Sequence, residues 1–193
     1  MKSDNFERTL PEGYKEAYVI DATKGKFSFW LNIVAMAIMI VVAVPLIVII
    51  FMTAEEITIN SWFLLALFGL LIVYTILHEL THGIAYKLMT GEKLTFGMSL
   101  TVAYCGVPKI YVYRKTALVA LLAPFTVYSI LFIALMIALP DPTAKLAVAI
   151  IFAIHFGGCA GDLYDTFIYL TKFKDPKTLM QDTGPRQTFY TLS

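Results

Sequence analysis

The chain has 193 residues, of which 59% are apolar and only 15% charged, and its formal net charge is +1. A mean hydropathy of +0.74 excludes a disordered chain, a coiled coil and an ordinary soluble domain, in which roughly half the residues are apolar and about a quarter charged. The small net charge leaves no basic field for nucleic acid, and two cysteines, Cys105 and Cys159, are too few for a disulfide scaffold or a Cys-rich metal centre. What remains is an integral membrane protein.

Residues 1–26 mix charges of both signs with Pro11 and Gly13 and read as a cytoplasmic arm or short strand, with no function assigned. Residues 27–52 carry no charge and are long enough to cross a bilayer, which takes about 20 apolar residues. They lack the short apolar core and small-residue cleavage site of a secretory signal, so they read as a retained first span. The second span, 61–89, is uncharged to Leu77 and continues helically through His78 and Glu79 towards a stop at Gly91. Residues 94–104 and 107–113 are rich in β-branched and aromatic side chains, with Cys105-Gly106 between them, and predict a short β-hairpin at the cytoplasmic interface. The third span is 116–139, and the fourth is 144–170, passing through Asp162. Pro45 and Pro124 lie inside spans, where neighbouring groups can satisfy the freed carbonyl. The tail 172–193, with Asp175-Pro176 and Gly184-Pro185, reads as loop.

The predicted fold class is thus an all-α membrane protein. It has four transmembrane helices with a short cytoplasmic hairpin-like insertion between spans two and three. A membrane domain, 27–171, is flanked by the arm and the tail. Of the 15 basic residues, all but Lys145 fall in or beside the arm, the 91–115 connection and the tail. By the positive-inside rule this places both termini in the cytoplasm of a multi-pass cell-membrane protein.

The chain contains three histidines, two of them in His78-Glu79-Leu80-Thr81-His82. On a helix, i and i+4 lie about 40° apart around the axis, so both imidazoles leave one face and can occupy two corners of a zinc tetrahedron. Glu79 flanks them, placed to take a proton from a water at the metal. A glutamate and two histidines inside a span cost several kcal/mol unless paired or solvated, and they mark function by default. The plainer alternative is a polar cluster satisfied by other helices, or a helix end emerging into water.

A catalytic zinc site takes a third protein ligand, for which His155, Asp162 and Asp165 of the fourth span are candidates. The second and fourth spans run in the same direction, so distance from their outer ends measures depth. Asp162 lies 18 residues past Ala144, close to the 17 and 21 residues separating His78 and His82 from Ser61. His155 is roughly 10 Å shallower than Asp162, at 1.5 Å per residue. Asp162 is the preferred ligand and Asp165 the second choice. His155, on nearly the same helix face, reads as a contact to the ligands or to substrate, or simply as a histidine bonded to a neighbouring helix; Asp165, where it is not the ligand, is a candidate for the same supporting or substrate contact. Gly157 and Gly161 form a small-xxx-small spacing that favours close helix approach, with span two the anticipated partner. Cys159 and Cys105 read as small packed residues.

The HELTHG at 78–83, the β-like segment after it, LLAPF at 121–125 and the Gly161-Asp162 pair resemble a family of small bacterial membrane proteins described as zincin peptidases. That family is similar to the site-2 protease group of intramembrane metalloproteases. The resemblance implies that His78, His82 and Asp162 hold zinc and that Glu79 is the base. Here glycine precedes the aspartate, whereas in site-2 proteases it usually follows.

The sequence reading is a zinc-dependent intramembrane endopeptidase with one zinc ion per chain. It would cleave membrane-protein or peptide substrates near the cytoplasmic side, with the lipid bilayer as surroundings and no nucleic acid as partner. The alternative is a non-proteolytic metal-binding membrane protein, a sensor or assembly partner. A transporter with a midplane ion site fits less well, given few spans and no internal repeat.

Overall fold

The computed structural model describes residues 5–23, 25–98 and 103–192. Among them the elements run β1 (Phe6–Glu7), β2 (Tyr14–Asp21), α1 (Gly25–Thr53), α2 (Ser61–Thr90), β3 (Thr95–Met98), β4 (Ala103–Gly106), β5 (Tyr111–Tyr113), α3 (Arg114–Ala138), α4 (Pro142–Gly158), α5 (Ala160–Thr171), β6 (Leu179–Asp182) and β7 (Arg186–Leu192). The fold is therefore mixed α/β, and the all-α, four-span expectation is wrong. Three helices, α1, α2 and α3, are long and apolar enough to cross a membrane. The stretch expected as a fourth span is broken at Cys159 into α4 and α5, and brings the number to four only if that pair is counted as one.

The chain divides into two compact units. The first comprises residues 5–23, 25–31, 78–98, 103–124 and 161–192, and holds all seven strands. Five of them form an antiparallel sheet in the order β1-β5-β6-β7-β2. The arm, the connection and the tail, read from sequence as arm, hairpin and loop, thus build one sheet. Their strands are two to eight residues long and, apart from the β6–β7 hairpin, pair with partners far away in the chain, so little that is local announces them. The turn signals in the tail mark real turns. Lys177 N–H donates to Asp175 Oδ1 at 2.8 Å, and Gly184, with φ +98°, closes the β6–β7 hairpin where Thr183 N–H donates to Arg186 O at 3.0 Å. Only glycine adopts that left-handed conformation without strain. Val112, Met180 and Phe189 of the sheet are fully buried with Tyr86 of α2, Ala117, Ala120 and Leu121 of α3, and Tyr169 of α5.

The hairpin after α2 differs from the sequence reading. Gly91, at φ +71°, ends α2, and β3 pairs with β4 in the register Thr95↔Gly106 to Met98↔Ala103. Residues 99–102, which connect them and form part of the predicted 94–104 strand, lie outside the described residues. Cys105-Gly106 sits inside β4, not at a turn, and Tyr111–Tyr113 joins the large sheet. Gly106 serves close approach: a Cβ there would lie 2.5 Å from Gly184 N and 2.9 Å from Asp182 O.

The second unit comprises residues 32–77 and 125–160. Its interior is aromatic and aliphatic, with Tyr74, Tyr128, Phe132, Ile151 and Phe152 in one cluster and Ile50, Leu146 and Ala149 in another. A Cβ on Gly157 would lie 2.7 Å from Ala35 O, so this glycine admits α1 rather than the α2 contact anticipated for it.

Candidate metal centre

Helix α2 presents His78 and His82 one turn apart, with ring centroids 5.0 Å apart and both residues buried. Asp162 stands in the first turn of α5. Its Oδ2 lies 3.5 Å from His78 Nε2 and 3.4 Å from His82 Nε2. All three belong to the first unit. Three ligand atoms on a tetrahedral zinc, each about 2.0–2.1 Å from the ion, stand about 3.4 Å from one another. The two histidine–aspartate edges therefore have the length zinc requires, the three ligand atoms lie within 4.8 Å of one another, and two imidazole nitrogens with a carboxylate oxygen is a donor set zinc accepts.

His82 is aimed from behind. His82 Nδ1 lies 2.9 Å from the carbonyl oxygen of Ala120. A carbonyl only accepts, so Nδ1 carries a proton and Nε2 is the nitrogen on the Asp162 side, the one available to ligate a metal. Helix α2 is in turn pinned near its C-terminal end. Tyr86 donates to Asp182 Oδ2 at 2.6 Å, and Asn5 Nδ2 donates to Met89 O at 2.8 Å. Gly83, beside His82, lets the hairpin lie on the helix, since a Cβ there would stand 2.8 Å from Phe96 Cζ and 3.0 Å from Leu94 Cδ1. Helix α5 is held by Ile168 and Tyr169 in the core and by the Tyr18–Tyr164 hydroxyl pair at 3.1 Å. Phe27 packs on the Tyr164 ring, with centroids 4.9 Å apart.

Glu79 follows His78 on α2 and is half-buried. The Asp162 side chain retains 20% exposure against 9% for each histidine, so the carboxylate side of the triangle is the more open one. Asp165, one turn further along α5, is not part of the triangle. It is buried, and its Oδ1 has no hydrogen-bond partner among the described residues. His155 lies in the second unit and is fully buried. Its Nδ1 is 2.8 Å from the Tyr74 hydroxyl and its Nε2 3.1 Å from the Ser129 hydroxyl, within a ring of phenylalanines including Phe125 and Phe152 stacked on the imidazole. Both cysteines are buried and neither forms a disulfide; Cys159 Sγ lies 3.5 Å from His155 Nδ1. Burial, with Asp182 and Glu79 nearby, pushes the Cys105 thiol up to about 12, which keeps it unreactive.

Two contributors to the centre escaped the sequence reading, Ala120 O and Asp182, as did Ser129, which bonds His155 in the second unit. A backbone carbonyl has no residue signature, although Pro124, which bears on this one, was visible. Asp182 lay in a segment read as loop, and a serine inside a span carries no spacing rule.

Comparison with known proteins gives a family. The family model described as "Putative zincin peptidase" matches residues 70–177, more than half of the chain, and the match includes His78, Glu79, His82 and Asp162. No curated protein and no solved structure was found to match. On the extent of that match, the chain belongs to this zincin peptidase family.

Proposed function

We propose that the protein is a zinc-dependent intramembrane endopeptidase of the site-2 protease kind, acting on membrane-protein or membrane-associated peptide substrates near the cytoplasmic face. The observation that carries the reading is the convergence of His78 Nε2 and His82 Nε2 on Asp162 Oδ2, at 3.5 and 3.4 Å, with the histidines on a helix apolar enough for a bilayer. These three residues would hold one zinc ion, which supplies Lewis acidity, making water a nucleophile near neutral pH and polarising a carbonyl.

The chain's own residues do the rest. His82 is held in the correct tautomer by Ala120 O. The Glu79 carboxylate accepts a proton from the attacking water and later delivers it to the amine nitrogen as the peptide C–N bond breaks. A transmembrane helix hides its carbonyls, so the substrate must be locally extended. Strand β3 offers a means: it pairs with β4 along one edge only among the described residues, and Phe96 seats it beside Gly83. A peptide added to its free edge would be extended next to the histidines.

Both termini are proposed to be cytoplasmic. The one-sided basic residues support this, and so does the assembly of the arm, the connection and the tail into one sheet.

The test is Glu79→Gln. Glutamine keeps the size, and none of the three proposed ligands is touched, so the variant should fold and bind zinc as the native protein does. Loss of the base should lower hydrolysis of a reconstituted membrane peptide about 10²- to 10⁴-fold. A Glu79→Gln protein that replaces the native one in cells without loss would show that hydrolysis is not the function, and a metal-binding scaffold would be the better reading.

A further inference from the structure

The carbonyl that receives His82 is unusual within its own helix. In an α-helix the N–H of residue i donates to the carbonyl of residue i−4. For Ala120 that donor is residue 124, which is proline and has no N–H. Ala120 and Pro124 are both fully buried, so water does not supply the missing partner. A buried carbonyl left unpaired costs about 1–3 kcal/mol, and His82 Nδ1–H fills the vacancy at 2.9 Å. The proline ring also crowds the carbonyl of residue i−4, which turns that oxygen away from the helix axis.

We propose that Pro124 is a positioning residue of the metal centre: by removing the helical donor to Ala120 O, it reserves that oxygen for His82 Nδ1 and so directs Nε2 towards His78 and Asp162. The inference rests on the reading of these three residues as a zinc site. Proline inside a membrane helix is ordinarily accounted for as a kink. Here the freed carbonyl has an identified donor on another helix, and that donor is one of the proposed ligands.

Pro124→Ala restores an amide at position 124 that competes for Ala120 O. Pro45 in α1 provides the control, because Pro45→Ala makes the same change in a helix that carries none of the three ligands. Zinc affinity would be measured on purified full-length protein by chelator competition, alongside the melting temperature of the metal-free form. Loss of a hydrogen bond behind a ligand typically lowers metal affinity 10- to 100-fold. Pro124→Ala should show a loss in that range with a metal-free melting temperature equal to or above the native one, since alanine is the better helix former. Pro45→Ala should bind zinc within twofold of the native protein.

Nitrogen-15 spectra of the zinc-loaded native protein add a second reading. His82 should carry its proton on Nδ1 and its metal on Nε2. Metal on Nδ1 would overturn the proposal, as would a Pro124→Ala protein that binds zinc as tightly as the native one. A Pro124→Ala protein that loses metal-free stability together with affinity would overturn it too, because the defect would then lie in the helix. If the native protein itself binds no zinc, the reading of the site has failed as a whole.

Discussion

At the scale of single residues, spacing on a helix does most of the work. His78 and His82 share a face because four residues make slightly more than one turn, while Glu79 stands about 100° away and flanks the pair. That arrangement could be read from five letters, and the depth comparison that preferred Asp162 to Asp165 needed only the rise per residue. Burial and hydrogen-bond partners were not readable in this way. Whether His155 met a substrate or a neighbouring helix depended on Tyr74 and Ser129, whose hydroxyls occupy its two nitrogens.

Asp182 shows how a buried polar residue shapes stability. Burial raises its carboxyl to about 6 from the ordinary 3.8, although Tyr86, Gly184 and Gln187 all donate to it and lower it in part. Between about pH 4 and 6 the folded protein therefore holds this proton more tightly than the unfolded chain does, and stability falls as pH rises through that window. The loss amounts to at most about 3 kcal/mol. Asp182→Asn should flatten the dependence. Chemical unfolding at pH 4 and pH 7 checks this: the native protein should lose more stability across that interval than the variant, and an equal loss would count against the assignment.

At the scale of elements, helices were visible because their apolar runs are long, and strands were not because theirs are short. Cys105-Gly106 looked like a turn, yet among the described residues Gly106 is not one of the glycines with positive φ. It is a contact between backbones, and its lack of a side chain lets β4 lie against the β6–β7 turn. Gly106→Ala should therefore destabilise the first unit by about 1–3 kcal/mol, because backbone atoms cannot swing aside as side chains do. Gly69→Ala in α2, where nothing lies within 4 Å of the added methyl, should be neutral or stabilising. Melting temperatures of the two variants test the difference. A Gly106→Ala protein as stable as Gly69→Ala would mean that the hairpin is not held by this contact.

For the molecule as a whole, composition indicated a membrane protein, and its three or four bilayer-length helices agree in kind. What composition concealed is that the charged stretches between and beyond the apolar runs fold together. Apart from the β6–β7 hairpin, each pairing in the large sheet joins segments a long way apart in the chain, as Tyr14 opposite Leu192 illustrates, and no window of sequence contains both. If the basic residues report orientation, reporters fused to either terminus should both read as cytoplasmic, and opposite readings would contradict the shared sheet as well as the charge rule. The central claim is that His78, His82 and Asp162 form a zinc site, and X-ray absorption at the zinc edge of the purified protein tests it most directly. The account predicts one zinc per chain with nitrogen and oxygen neighbours at about 2.0–2.1 Å, two of them imidazole. A protein that takes up no zinc, or a sulfur neighbour at about 2.3 Å, would contradict it.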